Sequence, residues 1–113
     1  MQAMQLSAPG GLDQLRLNEM TPRAPGLGEV RVEVKATSLN FHDYAVVTGM
    51  IPAADGRIPM SDGAGVVTAV GEGVTDYAVG DRVLSYFFPH WPSGRPNLPS
   101  LLGVPGDHVD GFA

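Results

Sequence analysis

From Val30 to Lys35 the chain reads Val-Arg-Val-Glu-Val-Lys, with a valine at every second position and a charge at each position between. Successive side chains of a β-strand point to opposite faces, so this run puts three valines on one side and three charges on the other. Such a segment suits a half-buried antiparallel strand and does not suit a helix. Its surroundings constrain it further. Fifteen glycines and ten prolines interrupt the chain, which keeps every element short and favours β structure with many turns over a helical bundle.

The same reading extends along the chain. Leu15 and Leu17 alternate with Arg16 and Asn18, and Pro22 to Gly28 breaks the pattern before Val30, so this stretch predicts two strands around a Pro/Gly turn. Asn40 to Gly49 predicts a short helix, with Phe41, Ala45 and Thr48 near helical spacing and Gly49 as its stop. Gly63 to Val70 reads as a strand that Gly71 to Gly73 would turn. A second turn at Gly80-Asp81 leads into a strand through Val83 and Tyr86. The segment "IPAADGRIP" and everything from Pro89 onward read as ordered loop. The sum is a β-rich barrel with one short helix.

A chain of 113 residues suits one domain. It is long enough to bury roughly two-thirds of its unfolded surface without staples. The net charge of −5 and the lack of a basic patch argue against a nucleic-acid partner. No run approaches the roughly 18 apolar residues of a membrane span, and the N-terminus lacks the pattern of a signal peptide. The chain has no cysteine, so disulfides and thiolate zinc sites are excluded. The default expectation is a soluble cytoplasmic protein.

Few motifs carry chemistry. The glycines of "GAGVVTAVGEG" lack the third glycine and the following helix of a dinucleotide-binding loop, and read as turn and close-packing residues. His42, His90 and His108, with Asp43 or Asp62, match no local metal-ligand spacing. Asp62 and Asp81 sit beside glycine or arginine as turn residues. Met50, Met60, Phe87, Phe88 and Trp91 line a pocket or fill the core. Ser38 and Ser61 have no base nearby in sequence. Asn40, His42, Asp43 and Tyr44 fall within five positions. They read either as an Asx-type cap on the helix or as a polar site, and the two roles can coexist.

Taken in order, "PGLGEVRVEVKATSLNFHDYAVVTG", "MSDGAGVVTAVGEGVTDYAVGDRV" and "FFPHWPSGRP" resemble the N-terminal catalytic domain of the medium-chain dehydrogenases/reductases. The likeness is greatest to their zinc-independent, quinone-oxidoreductase-like branch, and it runs from about Gln5 to Ala113. It implies a mainly β, GroES-like, partly open barrel with one or two short helices over residues 1–113. It also implies a Rossmann domain, absent from this stretch, that binds NADPH or NADH and passes hydride to a quinone, enone or related carbonyl.

The zinc-dependent branch has a cysteine ligand where this chain has Asn40 and a histidine ligand where it has Ser61, so no zinc is expected. By the resemblance, Asn40 orients the nicotinamide or polarises a carbonyl, and Asp43 organises the site from beneath. His42, Tyr44, Ser61 and Met50 border the substrate. The family's barrel also takes back a later segment of its chain. A stand-alone 113-residue unit is therefore expected to be incomplete, with uncovered strand edges and apolar surface, and inactive by itself. A homo-oligomeric full-length protein is compatible with the resemblance. The competing expectations are a non-enzymatic GroES-like module that binds a partner through its open edge, and a relative of the zinc-type alcohol dehydrogenases.

Overall fold

A computed structural model describes all 113 residues. Five strands and one helix follow in the order β1 (Gln2–Leu6), β2 (Leu15–Glu19), β3 (Val30–Ser38), α1 (Phe41–Val47), β4 (Asp62–Val70) and β5 (Arg82–Leu84). Single 3₁₀ turns lie at Leu12–Gln14 and Leu98–Leu101. The strands form two antiparallel sheets, β1-β2 and β3-β4-β5, with β4 central in the second. This is the mainly β architecture that the alternation predicts, in the partly open form that the resemblance implies.

Two expectations need correction. The strands on either side of Pro22–Gly28 do not pair with one another: β2 pairs back onto β1, from Gln2↔Glu19 to Leu6↔Leu15, and β3 pairs with β4 across the helix. With two glutamines in five residues, β1 carries no readable apolar alternation, so its partner looked free to pair forward. The last strand stops at Leu84, short of Tyr86. The Ser85 N–H still reaches Gly63 O at 2.8 Å, and the Ser85 hydroxyl takes the Gly63 N–H at 2.9 Å, which closes the ladder.

The glycines of β4 and its turn serve close packing. A side chain at Gly65 would run into the Glu33 carbonyl on β3, and one at Gly71 into the carbonyl of Gly26. Gly71 N–H donates to Glu29 O at 2.8 Å and Gly28 N–H to Glu72 O at 2.9 Å, so the two turns flanking the β3–β4 pair are stitched together. Arg23 grips Glu29 with two bonds, of 2.6 and 2.8 Å, and the Gly26 N–H adds a third at 2.8 Å. Those partners hold the Glu29 carboxyl well below its ordinary range, at about 2; the side-chain bond to Arg23 contributes most and the Gly26 N–H next.

Helix α1 packs its Val46 and Val47 against Leu6 of β1, with Leu15, Ile51 and Ala53 around them. The core is small, with 16 of 113 residues buried. The accessible surface is 7333 Å², against about 5,900 Å² for a compact monomer of this mass. The expected burial of two-thirds is therefore not reached; roughly 58% of the unfolded surface is covered. Large apolar side chains are among the exposed residues. The valines of β3 keep the predicted alternation, yet Val30, Val32 and Val34 line an open cavity of about 230 Å³ with Tyr77, Leu84 and Phe112. Leu84 is 81% exposed.

The last residues run back across the fold. Gly111 N–H donates to Ile58 O at 2.7 Å, Phe112 N–H to Pro59 O at 3.0 Å, and Met4 N–H to Ala113 O at 3.3 Å.

Because the Glu29 carboxyl is depressed in the folded chain, the stability it contributes is present above the ordinary carboxylate range and is lost as pH falls from about 4.5 toward about 2. Urea unfolding of the parent and of Glu29→Gln should therefore give midpoints that differ at neutral pH and converge over that acid window.

Candidate active site

Helix α1 begins at Asn40, whose backbone is extended (φ −113°, ψ 160°), and it ends before Gly49, which takes φ 84°. The helix sits where the sequence predicts it, but its apolar face differs. Ala45, Val46 and Val47 are buried, whereas Phe41 is 73% exposed. Asn40 and Asp43 stand in capping-box positions. The bond that closes the box is from Asn40 N–H to Asp43 Oδ2, at 2.8 Å; the Asn40 side chain makes no cap hydrogen bond.

The Asn40 amide turns instead toward β4. Its Nδ2 lies 3.3 Å from Ser61 Oγ and donates a short bond to the Asp62 carboxylate. Asp43 lies beneath, 1% exposed, with its second oxygen taking the Ser61 N–H at 2.8 Å. One buried carboxylate thus holds the helix start and the approach to β4 together. Ser61 is fully buried, and Met60 before it is the one non-glycine residue with a left-handed backbone (φ 79°).

His42 flanks this cluster. Its Nδ1 is buried without a hydrogen-bond partner, 3.5 Å from Asp43 Oδ1, and its Nε2 meets Asp107 Oδ2 at 2.9 Å. Phe87 meets the imidazole edge-on at 5.1 Å, and Phe88 and Trp91 continue this run of aromatic contacts. Tyr44 and Met50 lie outside the hydrogen-bonded cluster, 47% and 60% exposed, with Tyr44 packed against Phe41.

Sequence reasoning missed two residues. Asp62 was read as a turn residue, but it opens β4 opposite Ser38 and binds Asn40; the neighbouring glycine masked this. Asp107 lies 65 residues from His42 in the chain, and no local pattern pointed to it.

The donors around Asn40 are an amide, a hydroxyl and the Asp62 carboxylate, and no three His, Cys, Asp or Glu side chains come close enough to hold a metal ion. Zinc prefers sulfur and imidazole ligands, so this donor set does not fit it.

Residues 26–113 match the family model described as the alcohol dehydrogenase GroES-like domain. The chain belongs to this family. Solved structures resemble it as well. A cobalt- and zinc-bound thermostable alcohol dehydrogenase from Pyrobaculum aerophilum superposes with a TM-score of 0.87 at 34% identity, over 98% of this chain and 36% of that one. An Escherichia coli quinone oxidoreductase complexed with NADPH gives a TM-score of 0.70 at 33% identity, over 74% and 26%. Among curated proteins, a mycocerosic acid synthase-like polyketide synthase of Mycolicibacterium smegmatis is 49% identical over 77 residues, which are 66% of this chain and 4% of that protein. The chain thus spans a small part of each relative. These neighbours place the GroES-like domain in the medium-chain dehydrogenase/reductase superfamily.

Replacing Asp43 by alanine strands one buried and one half-buried backbone N–H group in this GroES-like domain. At the usual cost of a buried unsatisfied donor, Asp43→Ala should lose about 3 kcal/mol of stability in denaturant titrations.

Proposed function

We propose that residues 1–113 are the catalytic, substrate-binding domain of a zinc-independent, NAD(P)H-dependent oxidoreductase of the cytoplasm. It would reduce a quinone, an enone or a related carbonyl. The observation that carries the reading is the direct bonding of Asn40 to Ser61 and Asp62, at the positions where the zinc-dependent branch has its cysteine and histidine ligands. A cofactor domain outside these residues holds most of the nicotinamide nucleotide, since no strand–glycine turn–helix unit occurs here to cradle a pyrophosphate.

The bound nicotinamide supplies the hydride. As hydride reaches the acceptor, negative charge gathers on its oxygen, and a fixed donor aimed at that oxygen lowers the barrier. The Asn40 amide is that donor, exchanging one of its present partners for the substrate oxygen or for the nicotinamide carboxamide. Asp43, buried below, is a positioning residue: it fixes the backbone on both sides of the amide and does not touch substrate. We assign His42 and Ser61, which lie beside Asn40 and Asp43, and the exposed Tyr44 and Met50 to the substrate side of this site.

Some of the similar proteins bind zinc or are named for it, so metal content is the sharpest test. The full-length protein carrying this domain should oxidise NADPH with a panel of quinones, enones and carbonyls. Purified from its cell, it should contain zinc far below one ion per chain, and a chelator should leave its rate unchanged. Stoichiometric zinc, or loss of activity on chelation, overturns the zinc-free mechanism. Failure to reduce any acceptor overturns the oxidoreductase reading. Asn40→Ala should lower kcat about 100-fold, the cost of one oxyanion donor, and lower stability by about 1 kcal/mol, the net worth of a side-chain hydrogen bond. A large stability loss at normal turnover would reduce Asn40 to a structural residue.

A further inference from the structure

We propose that Asp107 is a positioning residue of the Asn40 site, acting through His42. The proposal rests on the oxidoreductase reading above and adds to it the segment that aligns the site.

Asp107 comes from the irregular C-terminal segment, yet its side chain is only 8% exposed and both its oxygens are used. Oδ2 faces His42 Nε2 at 2.9 Å; Oδ1 faces His108 Nδ1 at 2.7 Å and also accepts the His108 backbone N–H. A carboxylate can only accept, so the proton between Asp107 and His42 belongs to Nε2, while Nδ1 makes no hydrogen bond. With Phe87 against its edge, the imidazole is held in one tautomer and one orientation. Its Nδ1 is turned toward Asp43, 3.5 Å from Oδ1 of the carboxylate that fixes both Asn40 and Ser61.

The same segment reaches the site by a second route. A side chain on Gly106 would stand 3.0 Å from the Met60 nitrogen, and one on Gly111 would run into the Pro59 and Met60 carbonyls. The Phe112 N–H also donates to Met60 O at 3.1 Å. These contacts enforce the left-handed backbone of Met60, a conformation that persists only where the surroundings over-determine it. Met60 immediately precedes Ser61. One segment therefore sets Ser61 from the Met60 side and Asp43 from the His42 side, and Asp107 is its polar anchor.

Asp107→Asn keeps the shape and changes the sign of one contact. The His108 N–H must keep an oxygen opposite it, so the new amide NH₂ falls against His42 Nε2 and drives the proton to Nδ1. Long-range ¹H–¹⁵N spectra of the full-length protein should show His42 with Nε2–H, and the variant with Nδ1–H. In steady-state kinetics kcat should fall about tenfold, as expected for a misplaced group, with KM changed less than about twofold. Asp107→Glu retains the acceptor and should recover most of the loss; if the asparagine variant does not fold, the glutamate variant and the tautomer of the unsubstituted protein decide. A lower melting temperature with kcat and KM unchanged overturns the proposal, as does Nδ1–H in the unsubstituted protein. Should the unsubstituted protein reduce no acceptor, the functional reading fails and the tautomers alone judge this one. A switch in the asparagine variant supports it, and the same tautomer in both overturns it.

Discussion

The site depends on a single buried carboxylate. Asp43 gives one oxygen to the Asn40 N–H and the other to the Ser61 N–H, each at 2.8 Å. Hydrogen bonds from backbone amides to a charged group are among the stronger ones a protein makes, and losing the acceptor strands both donors. The acceptor itself is 1% exposed, and the Ser61 N–H that it takes belongs to a residue with no exposed surface. Everything else in the cluster follows from this clamp. It fixes the helix start relative to β4, which brings the Asn40 amide to Ser61 and Asp62 and leaves the His42 ring between two carboxylates from distant parts of the chain.

The legible parts of this protein were those with a local physical cause. Alternation located β3 because its valines and charges occupy opposite faces whether or not both faces are covered. Glycines located the turns at 71–73 and 80–81 because the backbone there needs their freedom; Gly73 and Gly80 both take positive φ. Asn40 was visible as a helix start because asparagine is among the best N-caps, and Asp43 joined it through the family resemblance alone. What the pair does with its side chains was not visible, since the Asn40 amide bonds to residues more than twenty positions away. Strand β1, the pairing partner of β2 and the role of Asp107 stayed hidden for the same reason. Each is decided by a long-range contact that leaves no period in the local sequence.

Burial shows where local pattern and tertiary structure diverge. The alternating valines satisfy the rule for a half-buried strand, but their apolar side remains an open cavity, and the accessible surface exceeds that of a compact monomer by about 1,400 Å². That excess is larger than the roughly 800 Å² that one partner contributes to a standard interface. The radius of gyration, 14.5 Å, likewise exceeds the about 13 Å expected for this length. Backbone hydrogen bonding, turn packing and a few buried clamps carry more of the organisation here than a filled core does.

The bond between the Met4 N–H and the Ala113 carbonyl brings the two ends of the described fold side by side. Together with the Gly111–Ile58 and Phe112–Pro59 bonds it lays residues 111–113 against β1 and the 58–60 segment through main-chain groups alone, so side-chain changes at Phe112 or Ala113 leave this seam of hydrogen bonds in place.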